Sequence, residues 1–362
     1  MKYWNALNLI SGFGPKTFSK FISNFDSMEH VWKASRKELA GISLNSYKID
    51  FFLNKKKAIN VDLEFEKLKK YNVKLINILD DNYPCLLKKI YNPPPVLYYL
   101  GHLPQKNDFC LAVVGSRKHS VYGRQICEKI IPGLLGANIK LISGLALGID
   151  TLVHKISNKH KRRNFAVVAS GLDSINPLNN RSLAQDIIKN QGAVISEYPL
   201  GVNVRPANFY ARNRIISGMS QGLIVIEAKI KSGTRITASH ALEQGRDVFS
   251  VPGSIFSKYS TGSNELIKQG AKCVLKVNDI LDEYELIIRS DLKIKTDKNA
   301  AFNLSTEQQK ILDLIDFTGR HIEKIAQHSN LNIERLLIIL TELELEGLIE
   351  KNQDIYYKKI RG

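Results

Sequence analysis

The rhythm of apolar and polar residues changes twice along this chain. Over residues 1–75 apolar positions recur at helical spacing around short polar breaks, which predicts a set of small packed helices. Residues 83–101, YPCLLKKIYNPPPVLYYLG, are too rich in proline for a helix and predict an extended connector. From residue 108 short β-branched runs alternate with amphipathic stretches. The runs at 109–115, 140–143, 165–170, 193–196, 222–227, 247–251 and 273–275 predict strands. Most are separated by enough chain for a helix, so the expected fold is a parallel sheet with crossover helices. A polar, Lys-rich stretch at 286–303 predicts a linker. Residues 304–357 then give three amphipathic helices and a short Ile355-Tyr356-Tyr357 strand, the pattern of a winged helix.

Charge adds a partner class to this outline. The 362 residues carry 52 Lys and Arg against 35 Asp and Glu, a formal charge of +17. Residues 1–107 hold +8 of it, residues 108–285 hold +9, and residues 286–362 balance. A polyanionic partner therefore belongs to the first two regions. Lys-rich surface composition accounts for the N-terminal excess equally well. No run nears the ~18 apolar residues of a membrane helix, and Asn5 and Asn8 interrupt the stretch where a signal peptide needs unbroken apolar sequence. The four cysteines, Cys85, Cys110, Cys127 and Cys273, form no CxxC or zinc pattern. A cytoplasmic protein with reduced thiols, no cofactor, no metal and no membrane partner is expected.

Three glycine-bearing loops follow predicted strands. They are VVGSRKHSVYGR at 113–124, LISGLALGID at 141–150 and VIEAKIKSGTRITASHAL at 225–242. In an open α/β sheet such loops meet at one crevice, where helix N-termini expose unpaired N–H groups. The candidate anion ligands are Gly115, Ser116, Arg117 and Ser120 in the first loop, Gly144 in the second, and Lys231, Ser232, Gly233 and Thr234 in the third. A fourth stretch, NFYARNRIISGMS at 208–220, joins Phe209 and Tyr210 to Arg212, Asn213 and Arg214. Aromatic faces stack on bases while guanidinium groups hold phosphates; here one arginine is expected to be structural, paired with a carboxylate such as Glu197 or Glu227, and the other to face the ligand. Near the N-terminus, Gly12-Phe13-Gly14-Pro15-Lys16 can present amides to a phosphate or be a plain interhelical turn, and the turn is the preferred reading.

No catalytic set emerges. GxGxxG after the first strand of the α/β region, GxxxxGK[ST], HExxH and GxSxG are absent. Ser143, His154 and Asp150 make a triad only on paper. His154 reads as a helix-face residue, and Asp150 as a cap or as the buried partner of an arginine.

The loops, taken together, resemble the DNA-processing protein A (DprA/Smf) family. GSRKHSVYG (115–123), SGLALGID (143–150), GLDSINPLNN (171–180), SEYPLG (196–201), FYARNRIISGMS (209–220), KSGTRITASHALEQGRDVFSVPG (231–253) and TGSNELIKQGA (261–271) occur in the family's order. Leu147, Asn176 and Arg235 depart from its usual pattern. The resemblance implies an α/β fold: an extended Rossmann-like doubly wound sheet at 81–285, a small helical domain (SAM or helix-hairpin-helix-like) at 1–80, a linker at 286–303 and a winged-helix-like domain at 304–362. It implies a non-catalytic binder of single-stranded DNA that protects incoming strands and loads the recombinase RecA in natural transformation, acting as a homodimer through the Rossmann-like domain. DNA contacts would fall on Gly115, Ser116 and Arg117, on Lys231, Ser232 and Gly233, and on Arg212, Asn213 and Arg214. The alternatives are a nucleotide-processing enzyme of phosphoribohydrolase type, with Glu227 as its acid, or a winged-helix regulator. Against the regulator, the third tail helix, at 332–346, holds Arg335 among Glu334, Glu342, Glu344 and Glu346, which suits protein contacts or packing better than a DNA groove.

Overall fold

A computed structural model describes residues 1–285, 304–316, 319–329 and 331–358. The predicted linker at 286–303 lies outside the described residues, as do the last four residues of the predicted tail domain. Six short helices open the chain, from Lys2–Asn8 to Val61–Lys70. Gly12 turns the chain at φ +87°, Gly14 precedes the helix Pro15–Asn24, and Phe13 plugs into the core against Phe21 and Phe52 at ring distances of 5.3 and 5.4 Å. The buried Phe13 marks this segment as an interhelical turn.

Nine strands then form one sheet. They are β1 (Lys74–Asn77), β2 (Val96–Gly101), β3 (Cys110–Val114), β4 (Lys140–Ser143), β5 (Asn164–Val167), β6 (Ala193–Ser196), β7 (Gly222–Val225), β8 (Asp247–Ser250) and β9 (Lys272–Cys273), in the order β1-β2-β6-β5-β4-β3-β7-β8-β9. From β6 to β9 every neighbouring pair is parallel, with Leu111 opposite both Leu141 and Gly222. The chain moves outward from β3 through β4 to β6, then returns to the other side of β3 as β7. The switch point between β3 and β7 is where such sheets open a crevice at their carboxyl ends.

Alternation along the strands supplies both faces. Leu111 and Val113 meet the helices Val121–Gly136 and Ile149–Lys159, whereas Ala112 and Val114 meet Pro206–Gly218 and Gly233–Glu243. The expected α/β class holds, with two additions. β1 and β2 extend the sheet as an antiparallel pair, β2 lying against β6. The connector also contains a single helical turn, Cys85–Lys88, started by Pro84 rather than prevented by it.

The tail folds as helices Thr306–Leu314, Ile322–Ser329 and Ile333–Leu345 with strands β10 (Arg320–His321), β11 (Ile349–Asn352) and β12 (Ile355–Lys358). Its wing is thus a hairpin, not the lone strand the sequence suggests. It rests on the helix Val121–Gly136, where Gln125 donates to the Lys358 carbonyl at 3.0 Å and Arg124 pairs with Glu350.

The N-terminal helices are tied to the sheet by one buried phenol. Tyr98 on β2 donates to Asn5 Oδ1 at 2.9 Å, and Asn8 donates to the Tyr98 oxygen at 3.2 Å. Tyr98→Phe strands a buried amide oxygen, so it should lower stability by about 1–2 kcal/mol. Both tryptophans, Trp4 and Trp32, lie in the helical part, so a fall in the urea midpoint read by tryptophan fluorescence checks this directly.

Candidate functional site

The loops after β3 and β7 meet over a crevice of about 490 Å³. Its lining includes Ser116, Arg117, Lys118, Phe209, Tyr210, Lys229, Ser232, Gly233 and Thr234. Whether each helix N-terminus here is open depends on what already occupies its amides.

The first is closed from inside. Ser120 caps Val121–Gly136 by accepting from Gly123 N at 3.1 Å. It also donates through both its amide and its hydroxyl to the Glu227 carboxylate. Glu227 is buried, burial pushes its carboxyl above the ordinary range, and a side chain at Gly123 would collide with it. Ser120, predicted as a ligand, therefore faces inward. Glu227 is absent from the crevice lining, so the position the enzyme reading needs is a structural one.

The second helix, Ile149–Lys159, has no side-chain cap either, but Ile149 N donates to the Ser116 carbonyl at 3.1 Å and the loop before it is taken up from inside. Asp150 Oδ2 accepts from Gly144 N at 3.0 Å and Ala146 N at 3.3 Å. Burial pushes this carboxyl up, while the amides and the Arg212 charge oppose the shift. Arg212 is 4% exposed and donates to the carbonyls of Gly144, at 2.6 Å, and Val167. Burial lowers its pKa to about 10, so it stays charged at neutral pH. A Cβ on Gly144 would sit 2.7 Å from Asp150 and 2.8 Å from Arg212, so this glycine makes room for these two buried side chains rather than for a ligand.

The third is open. Ser232 precedes the helix Gly233–Glu243 without capping it, and its hydroxyl is buried with no hydrogen-bond partner. Thr234 donates to the Gly115 carbonyl at 3.1 Å, fixing the two loops together. A Cβ on Gly233 would meet nothing within 4 Å, and Asn213 holds the Gly233 carbonyl at 3.3 Å. Ser116 bonds within its own loop to Lys118, and a Cβ on Gly115 would strike Ile149.

The arginines fall differently from the expected division. Arg214 pairs with Glu197 at 2.5 Å and Arg212 is consumed internally, so neither is free to face a ligand. The exposed guanidinium is that of Arg117, held 4.7 Å above the Phe209 ring. Arg117, Lys118 and Lys229 line the crevice, Lys231 is exposed beside it, and none of the four has an acidic partner among the described residues. Lys229 was missed by sequence reasoning; its only signal is its place two residues before Lys231. Of the departing residues, Leu147 is 45% exposed, and Arg235 donates to the Ile230 carbonyl at 3.3 Å.

The paper triad does not assemble. Ser143 donates to the Val113 carbonyl, and His154 lies on the buried face of the helix Ile149–Lys159. His154 shares a 2.7 Å bond with Asn164, and burial drives its pKa down to about 4. Asp150, expected as a cap or as an arginine's buried partner, is buried and bonded to two loop amides, with the Arg212 charge acting on it without an ion pair.

Gly144 and Gly233, alike in sequence, should separate on substitution. Gly144→Ala should cost about 1–3 kcal/mol through overpacking, visible as a lower thermal midpoint, while Gly233→Ala should melt with the parent.

The family model "DNA recombination-mediator protein A" matches residues 74–285, and a model of the DprA winged helix domain matches 295–353. Protein Smf of Synechocystis sp. is 36% identical over 77% of this chain and 71% of its own length. DNA processing protein DprA of Streptococcus pneumoniae is 44% identical over 61% of this chain and 76% of its own. A crystal structure of the S. pneumoniae protein aligns with a TM-score of 0.68 at 36% identity, covering 78% of this chain and 98% of that one. The structure of DNA processing protein A from Helicobacter pylori, described for its single-stranded DNA binding mode, shares the fold at a TM-score of 0.52 and 24% identity, over 59% of this chain and 95% of that one.

Proposed function

The chain belongs to the DNA recombination-mediator protein A family, and from that membership and the open crevice we propose that it binds single-stranded DNA without chemically altering it. The observation that carries the proposal is the uncapped N-terminus of Gly233–Glu243, set among cations that have no acidic partner among the described residues. A phosphate placed there takes the first-turn amides and the idle Ser232 hydroxyl, while Arg117 and Lys229 neutralise its charge. Phe209 lies beneath the Arg117 guanidinium, and Tyr210, 54% exposed, offers a face to a base. An unpaired strand can bring backbone and bases to these groups together; a duplex keeps its bases stacked inside.

The non-catalytic reading is supported by the state of the carboxylates. Asp150 is the one acid in the crevice lining; two loop amides bond it, and the Arg212 charge acts on it. In this proposal the protein acts in the cytoplasm as a homodimer through its Rossmann-like domain. It shields incoming strands during transformation and passes them to RecA. The family's description as a recombination mediator supports that last step.

A titration of oligothymidylate against duplex at several salt concentrations tests the proposal. Unpaired strand should win, and log affinity should fall against log salt with a slope of about −0.7 per phosphate contact. The double variant Arg117→Ala, Lys231→Ala should bind more weakly with a flatter slope; parental binding by that variant would refute the site. Arg335, on the third tail helix, is already paired with Glu307 at 2.7 Å. Arg335→Ala should therefore leave strand affinity unchanged, and a marked loss of duplex binding would favour the regulator instead.

A further inference from the structure

The loop that leaves β8 carries the most exposed large apolar side chains beside the crevice. Phe256 is 94% exposed and Ile255 is 79% exposed. Neither contributes to any apolar core described for the chain, so folding gains nothing from an aromatic residue at this tip. The tip is nonetheless firmly built. Asn264 grips Gly253 from both sides, accepting from its amide at 3.0 Å and donating to its carbonyl at 2.9 Å. Phe256 N donates to Ser254 Oγ, and Ser257 N to the Ser254 carbonyl. A side chain held outward on such a frame has lost little freedom still to lose on binding.

Two contacts place this tip beside the crevice. Parallel pairing of β7 and β8 puts their following loops on the same rim. Tyr122, in the first turn of the helix Val121–Gly136, donates to the Pro252 carbonyl at 2.7 Å. Cations complete the link: Lys229, which lines the crevice, and Lys258, on the tip loop, lie 5.4 and 5.6 Å from the Tyr259 ring centroid. Neither has an acidic partner among the described residues.

We propose that Phe256 is a base-stacking platform that carries the single strand outward from the crevice, with Lys229 and Lys258 holding the phosphates between. The proposal rests on the reading of the crevice given above and lengthens its track. Cations spaced along a path that ends at an exposed ring suit a polynucleotide, whose charge and π-faces repeat together. A purely apolar protein contact would have no use for two unpaired ammonium groups beside it.

Fluorescence anisotropy with labelled oligothymidylate of two lengths tests this. A strand of about four nucleotides fills the crevice alone, and one of about sixteen runs past it, the range of site sizes known for single-strand binders. Phe256→Ala should weaken the longer strand at least fivefold, leave the shorter unchanged, and preserve the salt slope. Phe256→Trp should restore affinity, and its emission should change as the long strand binds. Lys258→Ala should flatten the slope by about 0.7 for the longer strand only. Equal binding of both lengths by Phe256→Ala and the parent overturns the platform, as does an altered sedimentation mass, which assigns the tip to a protein contact. If the parent binds neither strand, the crevice reading itself fails, a result distinct from losing the extension alone.

Discussion

Backbone amides at the start of a helix must find an acceptor, and when the chain does not supply one a ligand can. At the carboxyl rim of this sheet the chain supplies it twice. Glu227 answers the helix after β3, and Asp150 answers the loop after β4. The helix after β7 is left unanswered. That asymmetry gives the crevice its sign and its location. Both carboxylates are bound to the chain's own amides, the Arg212 charge acts on Asp150, and the crevice cations are not drawn into ion pairs with either. The third N-terminus then stands without a side-chain cap, with the unpartnered Ser232 hydroxyl beside it.

The parallel strands were legible because fully buried strands read as unbroken β-branched runs, and β4 and β6 fall where the pattern puts them. β1 and β2 were hidden for different reasons. Lys74–Asn77 is exposed at its first residue and buried only at its last two, too short to show alternation, and Val96–Gly101 follows three prolines that obscure a strand. The glycines show the sharper limit. Gly144, Gly115 and Gly233 look interchangeable on the page, yet what a side chain would meet at each is set by residues far along the chain, Arg212 and Ile149 among them. The same holds for the arginines: that Arg214 would find Glu197, and that Phe209 would lie beneath Arg117, depends on how loops converge. Sequence supplied the chemistry of the site; only packing decides which of its members are free.

The division of charge bears on the tail. The winged region balances its charges, and its third helix commits Arg335 to Glu307 while exposing Ile333, Leu337, Ile338 and Leu345. A helix that reads a major groove needs donors free for phosphates and base edges. This one presents apolar side chains among glutamates, the opposite of what a polyanion attracts. The wing moreover draws Arg124 of the central domain into a pair with Glu350, so docking the tail removes a cation from the domain where the excess resides. Among the described residues, Arg117, Lys118, Lys229 and Lys231 at the sheet's rim have no such claims on them, so the rim suits the proposed strand better than the third tail helix does.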